Sequence, residues 1–256
     1  MAVTRIKCRI EGEVAVIHLE PPEGKPPTLD GDVLGELESC IEEVLRQRSR
    51  IVWVRSTSER FFCVGANINV LQHTDEKTII PWVMQGHRVL NMLEDLPVPV
   101  VAVVEGYAMG GGLELAMACD LIFASDNAQL AHSEATLGFV PGWGGTRRLA
   151  ARIGASKAKY YYYSGKMIDA HKAAEIGLVD FAGSKAELEN ELNQFTASVI
   201  ANNRNAICQF KAILNDQQRQ GRDENAAAEA FRSVSCLQDP DTLQRLHDFI
   251  TKKGRK

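Results

Sequence analysis

The chain lacks several features whose absence narrows its chemistry. Its six cysteines (Cys8, Cys40, Cys63, Cys119, Cys208 and Cys236) form no CxxC pair and no other metal-ligand spacing. Scattered, unpaired thiols fit a cytoplasmic setting, or an organellar matrix, better than a disulfide-stapled secreted fold. Positive charge is not in excess. Lys and Arg number 29 against 33 Asp and Glu, a net charge of −4, so no global field draws the chain to nucleic acid or to an anionic membrane. Long apolar runs are missing too. The most hydrophobic stretch, Val98–Val104, contains Pro99 and is too short to span a bilayer. The opening MAVTRIKCRIEGE has no signal-type apolar core. At the glycine clusters there is neither a GxGxxG fingerprint nor a phosphate-loop lysine, which disfavours nucleotide and nicotinamide chemistry.

What remains is an ordinary globular composition of 256 residues, 45% hydrophobic and 24% charged. That length suits one large domain, or a domain with an appendage, and it is ample to bury a core. Cys8–Leu19 alternates and reads as a β-hairpin turning at Glu11-Gly12-Glu13. Val33–Arg46 carries a helical stripe, Ile51–Arg55 is a β-branched strand, and Phe61–Asn69 is a loop leading into a short helix. Further strands are expected at Pro97–Val104, Asp120–Ala124, Leu130–His132 and Leu178–Phe181. Helices are expected at Trp82–Leu93, Leu113–Ala118, Gly144–Ile153, Lys157–Tyr163 and Asp169–Ile176. After Lys185 the pattern is entirely helical. Alternating strands and helices followed by helices alone predict an α/β class with parallel sheet and a helical C-terminal part. The basic end, Lys252–Lys256, reads as a solvated terminus, and Tyr160–Tyr163 as helix packing.

Three stretches carry chemistry. In AMGGGLELAMACD (Ala108–Asp120), Gly110-Gly111-Gly112 joins a strand to a helix. Such a turn either packs closely or presents backbone N–H groups to a ligand oxygen. Glu114 follows in the first helical turn among apolar neighbours. There it is either a dipole-compensating surface acid or a buried carboxylate that needs a partner or a purpose. In AHSEATLGFVPGWGGTRRL (Ala131–Leu149), Glu134 precedes a Gly- and Pro-rich loop, as a surface acid or as the second member of a pair. Two carboxylates sharing a pocket have their pKa values pushed apart, which suits acid and base roles. In FFCVGAN (Phe61–Asn67), an amide at Gly65 or Ala66 could face the triple glycine and complete an oxyanion hole; the alternative is a loop plugged into the core by two phenylalanines.

Taken together, these residues resemble the crotonase (enoyl-CoA hydratase/isomerase) superfamily. The resemblance covers nearly the whole chain and is most specific at Gly106–Asp120, Glu134–Leu149 and Ser164–Asp180. It implies a spiral of β-β-α repeats over residues 1–195 and a helical oligomerisation region over 196–256, assembled as a homotrimer or a dimer of trimers. It implies an acyl-CoA thioester substrate, with coenzyme A part of the substrate and no separate cofactor or metal. By this resemblance Ala66 and Gly111 form the oxyanion hole and Glu114 and Glu134 are the catalytic pair. Ala66, Asn67, Ile68, Asn69, Gly110 and Gly142 lie along the substrate or its CoA. The activity implied is reversible syn addition of water to a trans-2-enoyl-CoA. Glu114 serves as the base toward water, and Glu134 supplies the proton at Cα. Double-bond isomerisation, other enolate chemistry and a non-catalytic acyl-CoA-binding scaffold are the alternatives. Asn67, Asn69 and His132-Ser133 depart from the common hydratase pattern, and His132 is read as packing at the end of its strand. Trp82, Met84, Phe139 and Trp143 are candidates for the acyl pocket.

Overall fold

The computed structural model describes residues 3–219 and 222–253. The chain opens with the expected hairpin, β1 (Arg5–Glu11) and β2 (Val14–Glu20), paired antiparallel around Gly12. Then come α1 (Gly31–Arg46), β3 (Ile51–Ser56), β4 (Phe61–Cys63), α2 (Ile68–Leu71) and α3 (Glu76–Glu94). The next turns are β5 (Val100–Val104), β6 (Tyr107–Met109) and α4 (Gly111–Met117), then β7 (Leu121–Ser125), β8 (Gln129–Ala131) and a 3-10 turn at Glu134–Leu137. Then follow α5 (Gly145–Ile153), α6 (Ala155–Ser164), β9 (Ile168–Asp169), α7 (Ala170–Glu175) and β10 (Phe181–Gly183). Four helices finish the chain: α8 (Lys185–Ala201), α9 (Arg204–Arg219), α10 (Arg222–Leu237) and α11 (Pro240–Lys253).

The strands form two sheets, ordered β1-β2-β3-β5-β7-β10 and β4-β6-β8-β9. Successive turns of the chain put their first strand in the large sheet and their second in the small one: β3 then β4, β5 then β6, β7 then β8. Within each sheet these strands run parallel. This is the spiral of β-β-α repeats that the resemblance implied. Strand β5, VVAVV, is buried at every position because both faces of the large sheet are covered. Val100, Ala102 and Val104 face the main core, while Val101 and Val103 face Leu188, Leu192 and Val199 of α8.

Some boundaries differ from expectation for local reasons. Phe61–Cys63 is a strand, not loop, because it pairs with β6. The strand expected at Leu178–Phe181 starts only at Phe181, since Gly177 turns at φ +82° and Leu178 N–H goes back to Ala173 O at 2.8 Å. Helix α3 begins six residues earlier than Trp82, at a capping box on Asp75, and runs through Pro81. Helix α8 runs through residue 195 and ends at Ala201. Residues 254–256 of the basic end lie outside the described residues.

The C-terminal helices fold back on the core. α10 lies against α3, and α11 against α2 and the 3-10 turn. Helix α9 is fastened by Lys211, whose ammonium lies 2.6 Å from Asp120 Oδ2 and donates to Val98 O at 2.9 Å. Burial raises the proton affinity of Asp120 and Lys211 opposes it. Lys211→Met strands that carboxylate, and is expected to lower unfolding free energy by about 3 kcal/mol. Adding Asp120→Asn should restore part of the loss, as read by urea denaturation.

Candidate active site

The parallel order β4-β6-β8 sets three chain corners side by side at the ends of neighbouring strands. Ligand sites favour such strand ends in parallel sheets. After β4 comes Gly65, at φ +85°, then Ala66. After β6 comes Gly110, at φ +51°, then Gly111 and helix α4. After β8 come His132, Ser133 and Glu134. The first two corners touch backbone to backbone. A Cβ added to Gly65 would lie 2.6 Å from Gly111 N, and one added to Gly111 would lie 3.4 Å from Gly65 Cα and would strike the Trp143 ring. Both corners therefore require glycine.

A cavity of about 70 Å³ lies where the corners meet. Ala66, Gly111, Glu114, Glu134, Gly142 and Trp143 are in its wall, as are Trp82 and Phe139. Gly110 stands beside it, its Cβ position 3.5 Å from Glu134 Oε1. Thus both expected carboxylates and both expected oxyanion-hole residues share one space. The other residues expected along the substrate, Asn67, Ile68 and Asn69, are not in its wall. Ile68 packs in an apolar cluster with Leu71, Ile79, Val83 and Phe139. Asn67 caps α2, its Oδ1 accepting from Asn69 N at 3.2 Å, and Asn69 is exposed. Met84 does not line this cavity: its position on α3 turns it outward, 43% exposed, beside Leu45 and Arg88.

Glu114 is buried, and its Oε1 accepts N–H bonds from Trp143 at 2.8 Å and Gly145 at 2.7 Å. Burial pushes its pKa up to about 8, helped by the charges of Glu229 and Glu134 and opposed by His132 and the Trp143 N–H. Glu134 is partly open, its side chain 14% exposed, and both its oxygens lie near His132 Nδ1, at 3.1 and 3.2 Å. His132 therefore points at the site rather than merely packing at its strand. Burial works against its imidazolium, but Glu134 first, then Glu114 and Glu229, hold its pKa above the ordinary value. Its other nitrogen, Nε2, is buried with no hydrogen-bond partner. Among the described residues no group of three or more His, Cys, Asp and Glu is arranged to hold a metal ion.

Similarity to known proteins agrees with this geometry. Residues 9–254 match the family model described as enoyl-CoA hydratase/isomerase. The chain belongs to the enoyl-CoA hydratase/isomerase family. It is 30% identical to the short-chain-enoyl-CoA hydratase of Clostridium acetobutylicum, over 99% of this chain and 97% of that one. It is 29% identical to the crotonyl-CoA hydratase of Syntrophomonas wolfei, with the same coverage. The crystal structure of an enoyl-CoA hydratase from Bacillus halodurans superposes with a TM-score of 0.89 at 20% identity, over 95% of this chain and 99% of that one, a likeness of fold.

Family motifs do not point to Glu229, a third carboxylate buried beside the site. It comes from α10, where Ala226, Glu229, Ala230 and Ser233 are buried together. That spacing of small residues around one acid, within AAAEAF, is the only trace it leaves in the sequence.

The raised pKa of Glu114 has a consequence for stability. An unfolded glutamate releases its proton near the ordinary value of 4.5, whereas the folded one holds it to about 8. Between those values the unfolded state is progressively favoured as pH rises. Glu114→Gln, isosteric with the protonated side chain, is expected to be more stable than the parent by about 2 kcal/mol at about pH 8, and equal to it near pH 4.5. Urea titrations at the two pH values check this.

Proposed function

We propose that the chain is an enoyl-CoA hydratase that adds water across the Cα–Cβ double bond of a trans-2-enoyl-CoA. The observation that carries this reading is the single cavity walled by Glu114, Glu134, Ala66 and Gly111. The thioester oxygen accepts from the amides of Ala66 and Gly111, which polarises the carbonyl and makes Cβ electrophilic. Each such donor contributes roughly 3 kcal/mol once negative charge develops on the oxygen. A water between the carboxylates gives its oxygen to Cβ and a proton to ionised Glu114. The enolate then takes a proton at Cα from Glu134. A base whose proton affinity is raised to about 8 suits proton abstraction from water near neutral pH. His132 Nδ1 lies 3.1 Å from Glu134 Oε1, in contact with the carboxyl that donates at Cα.

A second reading, shift of a double bond by Glu134 alone, is favoured by the placement of Glu134, which lines the cavity, is partly open and touches His132. A panel of short, medium and branched enoyl-CoAs, followed by loss of conjugated thioester absorbance, separates the two. Hydration should dominate, and Glu114→Gln and Glu134→Gln should each lower kcat by about 10²- to 10⁴-fold. Turnover by Glu114→Gln at the parent rate would favour isomerisation.

The same reading includes self-assembly in a reducing compartment, cytoplasm or organellar matrix. No helix of the described residues is long and apolar enough to cross a membrane, and all six cysteines are free thiols. Helices α9 and α10 expose Phe210 (67%) and Phe231 (70%), apolar area that a partner copy would cover. Light scattering after size exclusion should give a trimer or hexamer, and Phe210→Ser should shift it toward monomer.

A further inference from the structure

Glu229 takes no part in the chemistry just described, yet it is bound to the segment that holds Glu114. Four consecutive backbone amides, Trp143 to Thr146, donate alternately to two buried carboxylates. Trp143 and Gly145 donate to Glu114 Oε1 at 2.8 and 2.7 Å. Gly144 donates to Glu229 Oε2 at 2.9 Å and Thr146 to Glu229 Oε1 at 3.4 Å. The Thr146 hydroxyl also donates to Oε1, and His87 Nε2 of α3 lies 2.9 Å from Oε2.

This alternation makes the two acids interdependent. The peptide planes of Trp143 and Gly145 are interleaved with those of Gly144 and Thr146, so moving one set turns the other. The segment has little intrinsic preference for its path: Gly144 sits at φ +92° and Gly145 has no side chain, and glycines confer freedom rather than fix direction. What fixes it from below is Arg148, which donates to Trp143 O at 2.6 Å and pairs with Glu94. What fixes it from above is Glu229.

We propose that Glu229 is a positioning residue: by anchoring Gly144 and Thr146 it aims the amides of Trp143 and Gly145 at Glu114, so that helix α10 of the C-terminal region is part of the active-site machinery. The inference rests on the reading of Glu114 as the base. Glu229 also acts through its charge. Burial disfavours its ionised form, but the donors from His87, Thr146 and Gly144 more than compensate and hold its pKa below the ordinary range. The ionised Glu229 then helps keep the proton on Glu114. The titratable and basic groups near it include His87 of α3, Glu134 and His132 across the site, and Arg148 beneath the turn.

Two conservative changes separate aim from charge. Glu229→Gln keeps the length and removes the charge. Glu229→Asp keeps the charge and draws the anchor back. Each is expected to lower kcat about 10- to 100-fold with KM little changed. In Glu229→Gln the acidic limb of the kcat profile, set by ionisation of Glu114, should move to lower pH; in Glu229→Asp it should stay. The Glu114 carboxyl is also to be followed directly, by carbon NMR of ¹³C-labelled glutamate with Glu114→Gln for assignment, because this readout needs no turnover. It should titrate at lower pH in Glu229→Gln than in the parent. Loss of thermal stability alone, with kcat and the Glu114 titration unmoved in both variants, would overturn the proposal. A parent that turns over no enoyl-CoA would overturn the hydratase reading instead, and the NMR titration would still decide the role of Glu229.

Discussion

The site depends on one constraint: a single helix start must satisfy two buried carboxylates at once. The first amides of a helix have no internal partners, and the positive end of its dipole favours negative charge. At the start of α5 these amides serve Glu114 and Glu229 alternately. Neither acid could be buried so fully without them. Much of the surrounding sequence follows from that arrangement. Gly145 carries no Cβ because His132 and Glu114 occupy the space, and Gly86 and Gly111 carry none because the Trp143 ring does. Trp143 is wedged between α3 and α4 with Trp82 edge-on to it, ring centroids 5.8 Å apart. It fixes the end of the turn whose amide it lends to Glu114.

The spiral supplies the other half of the geometry. A chain that alternates between two sheets, entering each by parallel strands, brings successive corners into register, one layer above the next. Residues far apart in sequence then meet without any long loop: Ala66 after β4, Gly111 after β6 and Glu134 after β8. Because these corners join rigid strands, the amides are held in place before substrate arrives, which is the condition under which an oxyanion hole lowers a barrier. Close backbone approach is needed where corners touch, and there the chain has Gly65, Gly111 and Gly112.

Strong local signals made most of this legible in the sequence. The hairpin, the buried strand β5, the triple-glycine corner and the pair Glu114 and Glu134 were all readable from periodicity, glycine placement and motif. What escaped depended on contacts between distant segments. Phe61–Cys63 is a strand only because β6 lies beside it. His132 looks like a strand-end residue until the 3-10 turn carries Glu134 back over it. Met84 has the composition of an acyl-pocket residue but faces outward on α3. Glu229 lies more than a hundred residues beyond Glu114 in a helix without a motif, and no local pattern shows that α10 returns to α3.

The titrating groups of the site form one unit, and this changes what acid and base mean here. The charges of Glu134 and Glu229 both act on Glu114 and on His132, and His87 binds Glu229. In so tightly coupled a set, protons belong to the group rather than to single residues. The donors gathered on Glu229 favour its ionised form, which drives the proton toward Glu114. The free site therefore favours the proton on Glu114. On the proposed reading that is the distribution left after water has been added, and hydration begins from the opposite one, reached by passing a proton between two carboxylates that share a cavity. On that reading the two directions of the reaction differ by one short proton transfer, and Glu229, which takes no part in the chemistry, helps set the balance between them.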